Sequence, residues 1–333
     1  MTPSRFRKPL FAFFLIATVC GLLEAAVRLS GYAEHEMCDP IYMPFPAAAD
    51  IPYVHKPGLA NARARGLAVI NTDSLGLRAK ISGATYGGRA NDEYRIALVG
   101  DSVTFGEGVE KTEDTYPEVM EAALNQKQRV AKVRVFNFAA SAYSVAVMSA
   151  TLERRMLDVN PDLVLMAIIP NDFNLWRTPA VDAAGNLSAD YPTGPLSRNS
   201  RIKPVLRQIH LLYIIKNVVY PYFDKREKAE ELLAQGRLPD SYAYIKKFGS
   251  IAEQHQLAYR IVLLPSLSQF GKLDDQFQRD GISSIDLTGL RNEFTREQFR
   301  ASRWDPHPSA LAHKRIGESL AEYILANNLI KKR

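Results

Sequence analysis

Beyond residue 93, short apolar runs alternate with longer segments in which apolar residues recur at helical spacing. The apolar runs predict five strands: Tyr94–Val99, Val133–Phe138, Leu163–Ile169, Tyr259–Leu264 and Ile282–Leu287. The helical spacing predicts three helices: Thr115–Gln126, Tyr143–Leu157 and Ser309–Asn327. Because the strand runs are apolar on both faces, helices are expected to cover both sides of the sheet. The pattern predicts an α/β fold, a three-layer α/β/α sandwich with a mostly parallel central sheet.

Two segments interrupt this alternation. Residues 33–92 are rich in Pro, Gly and Ala and predict a tether followed by a small N-terminal cap. Within the sheet domain, assigned to 93–330, residues 172–240 predict an insertion. Its apolar stretch Val205–Phe223 predicts a surface helix packed on the domain, with a second membrane span as the alternative. Residues 224–235 predict a charged, solvated helix.

The first 32 residues combine a basic start with an apolar segment. Basic residues within 5–8 precede the uncharged run Pro9–Leu23, and the apolar character continues past Glu24 to Val27. This length suffices for one transmembrane helix. A cleaved signal peptide is the alternative, but an acid stands where cleavage needs a small residue. The pattern predicts an uncleaved single-pass anchor, with its basic end cytoplasmic and the rest on the extracytoplasmic, periplasmic side.

The composition and the charge distribution limit the classes of partner and cofactor that the chain is expected to bind. Hydrophobic residues make up 47% of the 333 residues, which is enough for a substantial core. The formal net charge of +6 lies in the basic residues at the two ends, so the body of the chain is neutral. No basic stripe with interleaved aromatic residues indicates a nucleic-acid partner. The cysteine and histidine spacing matches no zinc site, and no metal or organic cofactor is expected.

Four polar segments follow the strands or precede the last helix. They are Gly100-Asp101-Ser102, the stretch from Asn137 to Tyr143, Pro170-Asn171-Asp172 and Asp305-Pro306-His307-Pro308. In an open parallel sheet, the carboxyl ends of the strands meet at one edge, so these segments are expected to converge there.

The residue types in these segments are those of a nucleophilic hydrolase. A serine hydroxyl needs a neighbouring base, and His307 is the candidate base for Ser102, with Asp305 to orient its ring. Acyl transfer also needs donors for the developing oxyanion. The backbone N–H groups of Ser102 and Ala142 and the side-chain amide of Asn171 are the candidates.

In this order, the segments resemble the blocks of the SGNH (GDSL-type) hydrolase family, over about two-thirds of the chain. The resemblance implies a flavodoxin-like SGNH fold with Ser102 as nucleophile, Asn171 in the oxyanion hole and His307 as base. Ala142 stands where the family usually carries a glycine. The family's acid usually lies three residues before the histidine, which is Trp304 here, whereas Asp305 lies two before.

These features predict an exported, membrane-tethered serine esterase that hydrolyses an acyl ester, with O-acetyl groups on a glycan, or a lipid ester, as candidate substrates. Trp176 is a candidate lining residue of the substrate pocket. One alternative is an O-acyltransferase that uses the same site and delivers the acyl group to a cell-envelope polysaccharide. The other is a non-catalytic glycan-binding or scaffold protein that kept the fold.

Overall fold

The computed structural model describes residues 4–127, 131–182, 184–188, 206, 208–219 and 226–330. It divides into two compact units. The larger comprises Cys38–Asp190 and Glu227–Arg333, and the smaller comprises Met1–Met37 and Tyr191–Arg226.

The elements are as follows. The strands are β1 (Tyr42–Met43), β2 (Val54–His55), β3 (Ala62–Arg63), β4 (Val69–Thr72), β5 (Arg78–Ala79), β6 (Glu93–Val99), β7 (Lys132–Asn137), β8 (Leu163–Ile168), β9 (Ala180–Val181), β10 (Leu187–Ser188), β11 (Ala258–Leu263) and β12 (Ser284–Asp286). The α-helices are α1 (Ser4–Ser30), α2 (Ser102–Phe105), α3 (Tyr116–Lys127), α4 (Val145–Arg154), α5 (Leu211–Ile214), α6 (Ala229–Ala234), α7 (Ala243–Gln254), α8 (Leu273–Arg279), α9 (Arg296–Phe299) and α10 (Ala310–Ala326). Short 3₁₀ segments occupy Ala33–His35, Arg65–Leu67, Thr112–Asp114, Met156–Val159, Pro170–Phe173, Leu175–Arg177, Asp240–Tyr242 and Thr288–Glu293, and Ile215–Val219 is a π-helix.

The larger unit is built on a five-stranded sheet in the order β12-β11-β8-β6-β7, in which every neighbouring pair is parallel. Numbered along the chain, this is the 2-1-3-4-5 order of flavodoxin-like folds. Every residue of the central strands β6 and β8 is buried. The predicted fold class is therefore confirmed, and each predicted strand is present.

Helices cover both faces of this sheet. Alternate residues of β6 enter different cores: Ile96 and Leu98 belong to one, Ala97 and Val99 to the other. Helices α3 and α10 pack against each other over the first core, and α4 packs with α7 over the second. This arrangement is the three-layer sandwich that the apolar pattern predicts.

Several helical predictions need adjustment. The helix predicted over Tyr143–Leu157 ends at Arg154, and a separate 3₁₀ turn follows. The charged helix predicted at 224–235 is limited to α6 within the described residues. Helices α7 and α8 were not predicted, although Ile245, Phe248 and Ala252 of α7 are buried on one face at helical spacing. The described part of Val205–Phe223 belongs to the smaller unit, and its other residues lie outside the described ones.

The smaller unit contains α1, whose residues Lys8–Ser30 are long and apolar enough to cross a membrane, as a signal sequence would also be. Its apolar side chains are exposed: Phe11 by 70%, Ile16 by 63% and Leu22 by 67%. Exposed apolar surface of this extent is typical of segments that contact a membrane or another protein. Near its end, Glu24 accepts hydrogen bonds from the backbone N–H groups that begin α5, at 2.8 and 2.9 Å, and pairs with Arg28 at 2.8 Å.

The N-terminal cap contains regular strands, which its composition rich in Pro, Gly and Ala does not predict. Strands β3, β4 and β5 form an antiparallel sheet. From β5, the buried Arg78 guanidinium donates to the carbonyls of Phe105, Gly106 and Val109 at 3.2, 2.7 and 2.7 Å, and to the Thr112 hydroxyl at 3.3 Å. The backbone acceptors lie at the end of α2 and in the loop after it. The cap therefore donates hydrogen bonds to carbonyl groups that have no donor within the short helix.

Replacement of Arg78 with Met should lower the free energy of unfolding by about 3 kcal/mol or more, because buried carbonyls lose a charged donor. The change would be measured by urea denaturation of the full chain, followed by tryptophan fluorescence. The matched control is Arg237→Met, whose side chain is 62% exposed and whose guanidinium forms a surface ion pair with Glu227. That control should cost less than about 0.5 kcal/mol. Equal losses in both variants would contradict a structural role for Arg78.

Candidate active site

Ser102 begins α2 just after β6, one of the two central strands in which every residue is buried. Gly100 allows the close turn, because a Cβ there would lie against Thr104 and 2.8 Å from the carbonyl oxygen of Ala167. Asp101 then caps the helix: its Oδ1 accepts the N–H of Val103 at 2.9 Å. The Asp101 side chain therefore has a structural role in holding the turn, and the Ser102 side chain stands at the carboxyl end of β6.

His307 and Asp305 meet Ser102 at this edge. The Nε2 atom of His307 lies 2.9 Å from Ser102 Oγ, and Nδ1 lies 2.5 Å from Asp305 Oδ1. The structure thus brings together the three residues that the sequence suggests as nucleophile, base and acid. A serine, an imidazole and a carboxylate in this order form a proton-transfer chain.

The short spacing between Asp305 and His307 has a geometric explanation. Asp305 Oδ1 also accepts the backbone N–H of His307, two residues on, at 3.0 Å. Asp side chains commonly form such turns with the backbone two positions ahead. The backbone N–H of Asp305 donates to the Ser302 hydroxyl at 3.1 Å, which holds the start of the turn. The same carboxylate oxygen therefore serves both the turn and the imidazole, and a spacing of two is sufficient.

The electrostatics of this pair favour charge on both partners. Burial opposes ionisation of Asp305, but the hydrogen bond and the charge of His307 outweigh it and lower the pKa of the carboxyl to about 2. Burial also opposes protonation of His307. The Asp305 hydrogen bond and the nearby Glu107 nevertheless raise the pKa of the imidazole. The pair therefore stabilises an imidazolium, which is the state that a general base reaches after accepting a proton.

Two glycines enclose the other oxygen of Asp305. Gly66, in the cap, has φ +76°, and a Cβ there would lie 2.5 Å from Asp305 Oδ2. Gly108, after α2, has φ +80°, and its Cβ would lie 3.0 Å from the same oxygen. Only a residue without a side chain fits at either position without displacing the carboxylate. Sequence reasoning did not identify Gly66, because nothing near it in the chain points to Asp305.

Ala142 adopts the left-handed conformation, with φ +61°. This conformation favours glycine, and a Cβ raises its cost by about 1–2 kcal/mol. The flanking residues fix the loop: the Tyr53 hydroxyl donates to the carbonyl of Ser141 at 2.5 Å, and the Tyr143 hydroxyl donates to the carbonyl of Tyr53 at 2.5 Å. The alanine thus adopts a backbone conformation that favours glycine, and Tyr53 of the cap supports its loop, which sequence reasoning missed.

Asn171 lies in the 3₁₀ turn after β8, the strand next to β6, and so at the same edge of the sheet. Asp172 fixes this turn by accepting the N–H of Ile169 at 2.8 Å. The Asn171 Oδ1 atom is buried and has no hydrogen-bond partner within the part of the chain that the structure describes. Trp176 follows in the next 3₁₀ turn and is half-buried. The roles of Asn171, Ala142 and Trp176 toward a substrate stay predictions.

A further histidine of the described residues, His313, has a structural role. The fully buried His313 accepts the backbone N–H of Tyr116 at 3.0 Å, and burial lowers the pKa of its imidazole to about 3. No cluster of three or more His, Cys, Asp or Glu side chains suited to a metal ion occurs in the part of the chain that the structure describes.

No family model and no curated protein matches the chain. Among solved structures, it is similar to a lipase/acylhydrolase from Enterococcus faecalis, with 12% identity, 72% of this chain and 98% of that chain covered, and a TM-score of 0.40. A GDSL-like lipase from Bacteroides thetaiotaomicron matches with 10% identity, 73% and 93% coverage and a TM-score of 0.40. A catalytic mutant of an acetylxylan esterase from Geobacillus stearothermophilus matches with 16% identity, 72% and 97% coverage and a TM-score of 0.38. Likenesses this distant do not assign an activity, which must be judged from the site itself.

The glycine at position 66 offers a test of the Asp305 geometry. Gly66→Ala should displace the carboxylate and slow labelling of Ser102 by a fluorophosphonate about tenfold or more, because the imidazole loses its orientation. Labelling rates would be followed by mass spectrometry. Gly83→Ala is the matched control: it has φ +66° but no atom within 4 Å of the added Cβ. Similar labelling rates in both variants would show that Asp305 does not set the reactivity of Ser102.

Proposed function

We propose that this chain is an exported, membrane-anchored serine esterase of the SGNH type. The observation that carries the proposal is the chain of contacts from Ser102 Oγ to His307 Nε2, at 2.9 Å, and from His307 Nδ1 to Asp305, at 2.5 Å. Such an arrangement activates a hydroxyl for attack on an ester carbonyl. Asp305 takes the part of the orienting acid despite its short spacing.

In the proposed first half-reaction, Ser102 Oγ bonds to the carbonyl carbon of the ester while its proton moves to His307 Nε2. The carbonyl oxygen becomes an oxyanion, which the N–H groups of Ser102 and Ala142 and the Asn171 amide would stabilise. The tetrahedral intermediate collapses with cleavage of the bond to the alcohol oxygen. The alcohol leaves with the proton from Nε2, and the acyl group remains on Ser102.

In the second half-reaction, water attacks the acyl-serine and gives one proton to His307 Nε2. The carboxylic acid leaves, and the proton returns to Ser102 Oγ. The substrate class is an acyl ester, with an acylated glycan or lipid of the cell envelope as the proposed source. The helix α1 would anchor the chain, and the excess of basic residues before it would place the catalytic unit outside the cytoplasm.

The full chain in detergent should hydrolyse p-nitrophenyl acetate, and Ser102→Ala should lower the rate at least about a thousandfold, because the nucleophile is lost. The control is Ser74→Ala, an exposed serine that should leave the rate unchanged. Release of p-nitrophenol is followed by absorbance. A wild-type rate equal to that of Ser102→Ala, together with no fluorophosphonate adduct on Ser102, would contradict the proposed nucleophile.

The proposed topology predicts which cysteine a membrane-impermeant maleimide reaches in intact bacterial cells. Cys38 is half-buried and follows the helix on its proposed outer side, whereas Cys20 lies within the apolar segment. Maleimide should label Cys38, and Cys38→Ser should abolish the labelling, because a thiol inside the bilayer is not accessible to the reagent. Mass spectrometry of the isolated chain provides the readout. Labelling of Cys38 only after cell lysis would contradict the outward orientation.

A further inference from the structure

A second carboxyl group faces the imidazole of His307 from the side opposite Asp305. Glu107 lies in the loop after α2, between two glycines, and is only 3% exposed. Its Oε2 atom lies 3.3 Å from His307 Nε2, the nitrogen that also contacts Ser102. The reaction proposed above does not use the Glu107 carboxyl group.

The loop holds Glu107 in this position. Its Oε1 accepts the hydroxyl of Ser141, and its backbone N–H donates to the carbonyl of Ser102 at 2.9 Å. The Oε2 atom is buried and has no hydrogen-bond partner among the described residues apart from the close approach to His307. A buried carboxylate oxygen without a donor is costly, so a donor at Nε2 would relieve that cost. His307 supplies such a donor only when its imidazole is protonated.

We propose that Glu107 is a positioning and electrostatic partner of His307, which stabilises the imidazolium formed when Ser102 transfers its proton. Asp305 binds the Nδ1 side in every state, whereas Glu107 gains its interaction only after Nε2 carries a proton. An interaction that forms in the charged intermediate and not in the resting state lowers the barrier between them. The inference rests on the proposed function for its catalytic meaning.

The protons balance without any transfer to Glu107. The Ser102 proton moves to Nε2, the resulting N–H lies between Ser102 Oγ and Glu107 Oε2, and the proton then passes to the leaving alcohol oxygen. In each tetrahedral intermediate, while Nε2 carries the proton, Glu107 offers Nε2–H an acceptor. The imidazolium is therefore held between two carboxylates, Asp305 at one nitrogen and Glu107 at the other.

Several other charged or titratable groups face His307. Asp101 lies behind the nucleophile, with Oδ2 3.2 Å from Ser102 Oγ, and interacts with the charge of His307. The positive charge of Arg65, from the cap, opposes protonation of the His307 imidazole. The charge of His307 in turn contributes to lowering the pKa of the buried His313. Burial opposes protonation, yet the pKa of His307 is raised, with contributions from the Asp305 hydrogen bond and the Glu107 charge. Removal of the Glu107 charge should therefore lower the pKa of His307.

The test compares wild type, Glu107→Gln and the control Glu110→Gln in the full chain. Gln keeps the size of the side chain, and Glu110 is an exposed acid in the same loop. The pKa of His307 is measured by NMR of ¹⁵N-histidine, with the signal assigned from His307→Asn. It should fall by about one unit in Glu107→Gln and stay unchanged in Glu110→Gln. The acid limb of the kcat/KM profile for p-nitrophenyl acetate should move to lower pH by the same amount, because the neutral base persists there.

The rate on the pH plateau should fall about tenfold in Glu107→Gln, since one unit of pKa corresponds to a tenfold change in the stability of the imidazolium. Glu107→Asp keeps the charge at a greater distance and should give a smaller shift, which also tests the proposal if the Gln variant does not fold. An unchanged His307 pKa in folded Glu107→Gln would overturn the proposal, and so would an equal shift in Glu110→Gln. The titration needs no turnover, so an inert wild type with the predicted shift would contradict the esterase function alone.

Discussion

The Asp305 carboxylate is the group around which the candidate site is assembled. A carboxylate that leaves water must find donors and a counter-charge, or it loses its charge. Asp305 Oδ1 finds both in the backbone and the ring of His307, and the pKa of the acid falls to about 2 despite burial. Its second oxygen is enclosed by Gly66 and Gly108, which leave no room for a side chain. The position of the His307 imidazole thus depends on three separate parts of the chain.

This dependence makes the N-terminal cap a part of the candidate site. Gly66 lies against the Asp305 carboxylate, Tyr53 holds the loop of Ala142, and Arg78 binds the carbonyls at the end of α2. Each contact satisfies a polar group or fills a space that the parallel sheet leaves open at its carboxyl edge. Such an edge offers strand ends and short loops, and additional segments must fix their conformation before the reacting groups are held precisely. The buried Glu107, in the loop after α2, adds negative charge beside Nε2 of His307, where the imidazolium would form.

Local patterns in the sequence are sufficient to predict the sheet and the turn at Ser102. The strand predicted over Tyr94–Val99 begins one residue earlier in the structure, at Glu93, and it leads into the Gly100-Asp101-Ser102 turn at the carboxyl edge of the sheet. The cap strands are only two to four residues long, too short for periodicity to show. Helix α7 was missed although its spacing was readable, and the conformation of Ala142 was not readable because φ depends on the contacts of its loop.

The sequence by itself determined the fold class, the positions of the polar segments that follow the strands and the residue types in those segments, since each is read from patterns among residues that are near one another in the chain. Only the tertiary structure decided whether Asp305 reaches His307, how an alanine holds the glycine conformation and which acid faces Nε2 of the imidazole. These depend on residues such as Gly66 and Glu107 that are distant from His307 along the chain. Their proximity follows from packing and from the need to pair buried charge, which no local pattern records.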